Sequence, residues 1–143
     1  MHSPSERLRL QEAWAQKLPP GQFRLLFEYA GNVLFFAKDL DGRIMYANTA
    51  FARRCGFASE AEVIGMCDDD IFPHALAEHY RESDRRVIAS GQPILGIIEL
   101  FPNSVGRPEW CETNKLPLRD RSGRICGICG TVKSYEGTRA AIQ

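Results

Sequence analysis

At 143 residues, with 44% hydrophobic and 25% charged residues, the chain has the makeup of one soluble globular domain with some extension. A chain of this size buries about 68% of its unfolded surface, so it needs no disulfide or metal staple. Lysine plus arginine equals aspartate plus glutamate at 18 each, so the basic excess of a nucleic-acid-binding domain is missing and no direct nucleic-acid partner is expected.

No apolar run reaches the roughly 18 residues of a membrane span, so no membrane partner is expected. The first residues are polar where a signal peptide would be apolar, and the cytoplasm is the expected compartment. Five cysteines, Cys55, Cys67, Cys111, Cys126 and Cys129, are an odd set without a secretory signal and are expected to be free and mostly buried.

Ser3–Leu18 carries Leu10, Ala13, Trp14 and Leu18 on one helical stripe, and Pro19-Pro20-Gly21 stops it. A helix this short is marginal alone. Its stripe needs a partner, either the domain's own sheet or a second copy, with Leu10, Trp14 and Leu18 as the docking seam. Gln22–Ala30 reads as a second short helix with Phe23, Leu26 and Phe27 on one face. Val33–Lys38 is a strand, Asp39–Gly42 a hairpin turn and Arg43–Tyr46 the returning strand. Asn48 caps a helix that runs through Cys55 to Gly56. Ser59 and Glu62 have capping-box spacing, and Asp68 caps a further turn ending at Pro73. Helix His74–Ser90 follows, with Leu76, Tyr80 and Val87 on its apolar stripe. Ile94–Phe101, Glu109–Leu118 and Arg124–Tyr135 read as three more strands. Strands and helices are segregated rather than alternating, which predicts an α+β fold: one antiparallel five-stranded sheet with helices on one face.

Several segments in this order resemble the PAS domain family. They are Asp39-Leu40-Asp41-Gly42-Arg43 leading to Tyr46-Ala47-Asn48, Val63-Ile64-Gly65 before Asp70-Ile71-Phe72-Pro73, and Tyr80–Asp84 through Gly91-Gln92-Pro93. Lys115–Asp120 and Gly123–Gly127 resemble that family's last hairpin. The resemblance covers roughly Gln22–Tyr135. It implies residues 1–20 as a helical extension, 21–137 as a PAS-like domain and 138–143 as a tail leading towards an effector outside this chain. The place where many members carry an Asp-Ile-Thr-like signature reads Val132-Lys133-Ser134 here, so the resemblance does not extend to that signalling linker. Function in this family is sensory and non-catalytic: a small molecule held between sheet and helices biases an attached transcriptional or signalling regulator, typically in a homodimer. The alternatives are a ligand-free dimerisation module and a haem sensor.

The ligand-binding residues expected on that basis are Phe36, Tyr46, Phe51, Tyr80, Asp84, Glu99 and Lys115, aromatic groups for contact and charged groups for orientation. Asp84 lies about 60° from the stripe centre of its helix. A carboxylate there needs a partner, and Lys115 is one candidate; a structural ion pair is favoured over ligand contact. His79 lies about 80° from the stripe centre and is a marginal haem ligand. Arg54-Cys55-Gly56-Phe57 lacks the Asn-Cys-Arg-Phe-like context of flavin photoreceptors, so the cofactor is left unknown, with neither flavin nor haem assigned. Cys126 and Cys129 are three apart on a strand and face opposite sides, unsuited to metal or redox pairing. Asp68–Asp70 lacks the alternate spacing of a cation loop and reads as a cap with solvated charges. Gly-x-Ser-x-Gly, phosphate-loop and His-Glu-x-x-His motifs are missing, so no enzyme is predicted.

Overall fold

The computed structural model describes residues 2–135, so the expected tail and the domain's last residues, 136–143, lie outside the described residues. β1 (Leu34–Asp39) turns back into β2 (Ile44–Ala47). The Asp39 carboxylate fixes that turn by accepting the Asp41 and Arg43 amides at 3.0 and 2.9 Å. Gly42 supplies the left-handed φ of 78° that a residue with a Cβ avoids. β3 (Ile94–Pro102), β4 (Pro108–Arg119) and β5 (Ile125–Ser134) complete the sheet in the order β2-β1-β5-β4-β3, with every pair antiparallel. This is the expected α+β architecture.

Period-two alternation gives the sheet one inner face. Leu34, Phe36 and Lys38 from β1, Cys111, Thr113 and Lys115 from β4, and Ile128 and Val132 from β5 are all buried there. Four helices cover it: α3 (Thr49–Arg54), α4 (Glu60–Val63), α5 (Asp68–Ile71) and α6 (His74–Ser90). Asn48 caps α3 by accepting the Phe51 amide at 3.0 Å, and it also ties β1 in place. Its Oδ1 accepts the Phe35 amide at 3.0 Å while its Nδ2 donates to the Phe27 and Val33 carbonyls at 3.0 and 2.8 Å. α6 lies across β4 and β5 and turns Ala77, Tyr80, Ser83, Asp84 and Val87 inward.

Several local expectations are corrected. The first helix, α1, runs Pro4–Ala15 with Ser3 as its N-cap. It stops short of Leu18 because a residue before proline is pushed out of the helical region. None of its residues is buried. Gln22–Ala30 is a 3-10 turn (Gln22–Leu25) followed by α2 (Leu26–Tyr29), with Phe23 and Leu26 both 70% exposed. From that segment Phe27 is the ring that packs, stacked 4.6 Å from Phe35. Ser59 makes no side-chain cap bond; Glu62 instead accepts the Ala58 amide at 2.8 Å. Cys67, not Asp68, caps α5, and Asp68 is buried rather than solvated. All five cysteines are free as expected, but Cys111 alone is buried, Cys126 is exposed and the others are half-buried.

Candidate functional site

The alternation that buries Phe36 also carries Lys38 inward, and the one that buries Cys111 carries Thr113 and Lys115. Two ammonium groups so close beneath α6 require carboxylates, because an unpaired buried charge is costly. Lys38 Nζ donates to Asp68 Oδ2 and Asp84 Oδ2, both at 2.8 Å. Lys115 Nζ donates to Asp84 Oδ1 at 2.7 Å, to Ser83 Oγ at 2.6 Å and to the Tyr80 carbonyl at 3.1 Å. Two cations and two anions thus form a balanced chain from β4 through α6 and β1 to α5.

Position in that chain decides each protonation state. Burial pushes the Asp84 carboxyl up, but Lys38 and Lys115 together outweigh it and hold its pKa below the ordinary value. Asp68 is also pushed up by burial; it has Lys38 as its direct partner and stays above the ordinary value. Burial lowers the Lys38 pKa, and the Asp84 and Asp68 carboxylates more than restore it, so it ends raised.

Beside this chain lies a cavity of about 20 Å³, walled by Phe36, Phe51, Phe72, Tyr80 and Phe101 and by Lys38, Asp68, Glu99, Thr113, Lys115 and Val132. The rings meet edge-on or tilted, Phe72 with Tyr80 at 5.1 Å and with Phe101 at 5.4 Å. Tyr80 spends its hydroxyl on the Leu100 carbonyl at 2.5 Å, and burial raises its pKa. Glu99 reaches out to His79 Nε2 at 3.1 Å. Thr113 is 1% exposed, and its Oγ1 has no hydrogen-bond partner among the described residues. A space of this size holds about one water molecule.

Of the residues expected at a ligand site, Phe36, Phe51, Tyr80, Glu99 and Lys115 line this cavity. Asp84 stands behind it as the shared partner of Lys38 and Lys115. Tyr46 is elsewhere: it is 43% exposed, with the Arg24 guanidinium 4.6 Å above its ring. Pairing skips from Lys38↔Ile44 to Ala37↔Tyr46, and the extra residue turns Tyr46 away from the core. Lys38, Asp68, Phe72, Phe101 and Thr113 were not among the expected residues. For Lys38 and Thr113 the signal was present, since each shares strand parity with an apolar core residue. His79 lies half-exposed on α6, engaged with Glu99.

The opposite face of the sheet is unlike this one. Phe27, Phe35, Leu95, Leu116 and Cys129 border an open apolar groove of about 440 Å³. Leu10 and Trp14 are 63% and 54% exposed and Leu18 is half-buried, so most of the expected seam is open within the described residues. No helix among those residues is long and apolar enough to cross a membrane, and no cluster of three metal-ligating side chains occurs among them.

This arrangement has known counterparts. The chain is 28% identical over 139 residues to the methanogenesis regulatory histidine kinase FilI of Methanothrix harundinacea, covering 96% of the chain and 15% of that protein. It is 33% identical over 113 residues to the C4-dicarboxylate transport sensor protein DctS of Rhodobacter capsulatus, covering 77% of the chain and 17% of that protein. The chain therefore spans less than a fifth of the length of either relative. Among solved structures, VqmA bound to DPO superposes with a TM-score of 0.69 at 25% identity, over 80% of this chain and 57% of that one. The PAS fold family model matches residues 30–135, which take in all five strands and the four helices that cover the sheet's inner face. By the family match over most of its length, and by the fold it shares with solved structures, the chain belongs to the PAS fold family.

Proposed function

We propose that this chain is a non-catalytic sensory module that binds a small molecule in the aromatic cavity between sheet and helices. Binding would bias an attached transcriptional or signalling regulator. The observation that carries this reading is Thr113 Oγ1, a buried hydroxyl that borders the cavity and has no partner among the described residues. A native core satisfies such groups, and a bound polar atom would satisfy this one. The regulatory names of FilI and DctS, and the ligand in the VqmA complex, support the same reading. The free cavity is small, so a ligand must displace a side chain, and that displacement is the conformational difference a signal requires. A three-ring flavin or a porphyrin would displace most of the aromatic wall, and no step is assigned to either.

The test uses DPO as the probe, alongside native mass spectrometry of the protein as purified. Saturating ligand at about 100 times its Kd adds roughly 2.7 kcal/mol of stability, a rise of several degrees in Tm. A flat Tm with DPO, together with no co-purified mass, would count against the reading.

The exposed apolar stripe of α1 favours a second reading, a homodimerising module seated through Leu10 and Trp14. Light scattering on the full chain and on a variant lacking residues 1–20 separates the cases. A dimer that persists after deletion removes α1 as the seam.

A further inference from the structure

A second space opens on the other side of the cavity wall. It is a surface cleft of about 320 Å³ where the end of α3, the α5–α6 junction and the β3–β4 hairpin meet, and Arg53, Cys55, Ile71, Leu76, Pro102 and Pro108 border it. Its volume is within the range of small-molecule sites, whereas the inner cavity of about 20 Å³ is not. One residue belongs to both linings, Phe72. We propose that this cleft is the vestibule of the inner cavity and that the Phe72 ring is the gate between them. The ring admits a flat ligand about the size of one aromatic ring by swinging outward.

Local structure makes Phe72 free to do this. It links α5 to α6 in an extended conformation (φ −114°, ψ 155°), and Pro73 follows it at a φ of −54°. Its amide donates to the Asp68 carbonyl at 2.8 Å, and a change of side-chain rotamer leaves that bond intact. On the inside the ring is held by Tyr80 and Phe101 alone among the aromatics, at 5.1 and 5.4 Å. On the outside Ile71, Leu76 and Pro102 offer an apolar surface to receive it. Exchanging one set of apolar contacts for another is a low-cost motion compared with opening the sheet.

The gate also sets ligand size. An apolar cavity that accepts benzene measures about 150 Å³, far more than a one-water space. Removing one phenyl ring from the wall makes room for one ring in its place. The incoming ring would meet the edges of Tyr80 and Phe101 and place a polar substituent against Thr113 Oγ1. This inference rests on the ligand-binding reading for its occupant, while the path itself is testable without any ligand.

Thr113→Cys puts a thiol on the inner wall, and methyl methanethiosulfonate probes it, with the modified residue identified by peptide mass spectrometry. Adding Phe72→Ala is expected to speed modification at position 113 roughly ten-fold, because the local gate is gone while the fold stays closed. Phe51→Ala opens space in the inner wall but does not border the cleft, so it should leave the rate within about three-fold. Cys111, fully buried two residues away on β4, reports global opening and should stay unmodified in every variant. Phe72→Leu, a milder change, should give an intermediate rate if the alanine variant does not fold. Acceleration by Phe51→Ala equal to that by Phe72→Ala, or rates that rise only together with Cys111, would overturn the gate. A passed labelling test with neither DPO binding nor a co-purified mass would instead sink the ligand reading and leave the gate standing.

Discussion

Asp84 is flanked by two ammonium groups, Lys38 at 2.8 Å and Lys115 at 2.7 Å, and among the described residues no carboxylate other than Asp68 shares that burden within hydrogen-bonding distance. Buried ion pairs add little net stability when intact, yet removing one partner strands the other charge in a low-dielectric core. Asp84→Asn keeps the shape and removes the charge, so Lys115 loses its one carboxylate partner among the described residues and Lys38 keeps Asp68. The expected cost is about 3–5 kcal/mol in urea unfolding with an unchanged m value. A loss under about 1 kcal/mol would mean that water already screens these charges and that the network is not sealed. The same residue shows how far a single sequence reaches. Its place beside the α6 stripe is readable from helical geometry, and Lys115 on a later strand is one candidate partner for it. Its second partner, Lys38, is less legible, because a lysine at the inward parity of β1 reads as a solvated strand end until Asp68 and Asp84 are brought against it by the fold.

Elements were legible wherever one periodicity ran without interruption. β4 alternates from Cys111 to Lys115, and α6 keeps its apolar stripe from Ala77 to Val87, so both can be placed from sequence. Elements were misjudged where tertiary contacts or a local irregularity decide. The bulge in the β1–β2 pairing reverses Tyr46, and no residue type in Arg43–Tyr46 announces it. α1 ends at Ala15, so Leu18 falls outside the helix that carries Leu10, Ala13 and Trp14, and whether such a stripe is covered depends on a partner surface, which periodicity does not supply. Phe72 and Phe101 were overlooked for a related reason. They are about 30 residues apart and become one wall only when α5 is laid against the end of β3. Close approach acts the same way in β5: a Cβ on Gly130 would meet the Phe36 ring at 2.7 Å. The glycine there makes room for an aromatic ring contributed by another strand, and a reading of β5 alone shows no need for it.

At the scale of the whole molecule, protonation ties these parts into one stability profile. Lys38 has a raised folded pKa, so its contribution is full below the ordinary value of 10.5 and is lost as pH rises through the folded value. Asp84 has the opposite sign: its contribution is present above the ordinary 3.8 and is lost as pH falls through its lower folded value. Asp68, raised, favours the fold most below 3.8 and loses that advantage as pH rises through its folded value, which offsets part of the acid loss. On the alkaline side Cys55 acts together with Cys67, Cys111 and Cys129, whose thiols burial also pushes up. Burial, followed by the Asp68 charge, pushes the Cys55 thiol from 9.0 up to about 12. The unfolded thiol therefore ionises near 9 while the folded one holds its proton, and stability drains away between those two values. Urea midpoints from pH 7 to 11 should be flat to about pH 9 and then fall, and Cys55→Ala should fall less steeply. By pH 11 the two proteins should have converged by about 2 kcal/mol relative to their difference at pH 7. Parallel curves across that range would mean that Cys55 ionises in the folded chain as freely as in the unfolded one. Its side of the cleft would then be open to water, and burial would no longer account for a proton held there to about pH 12.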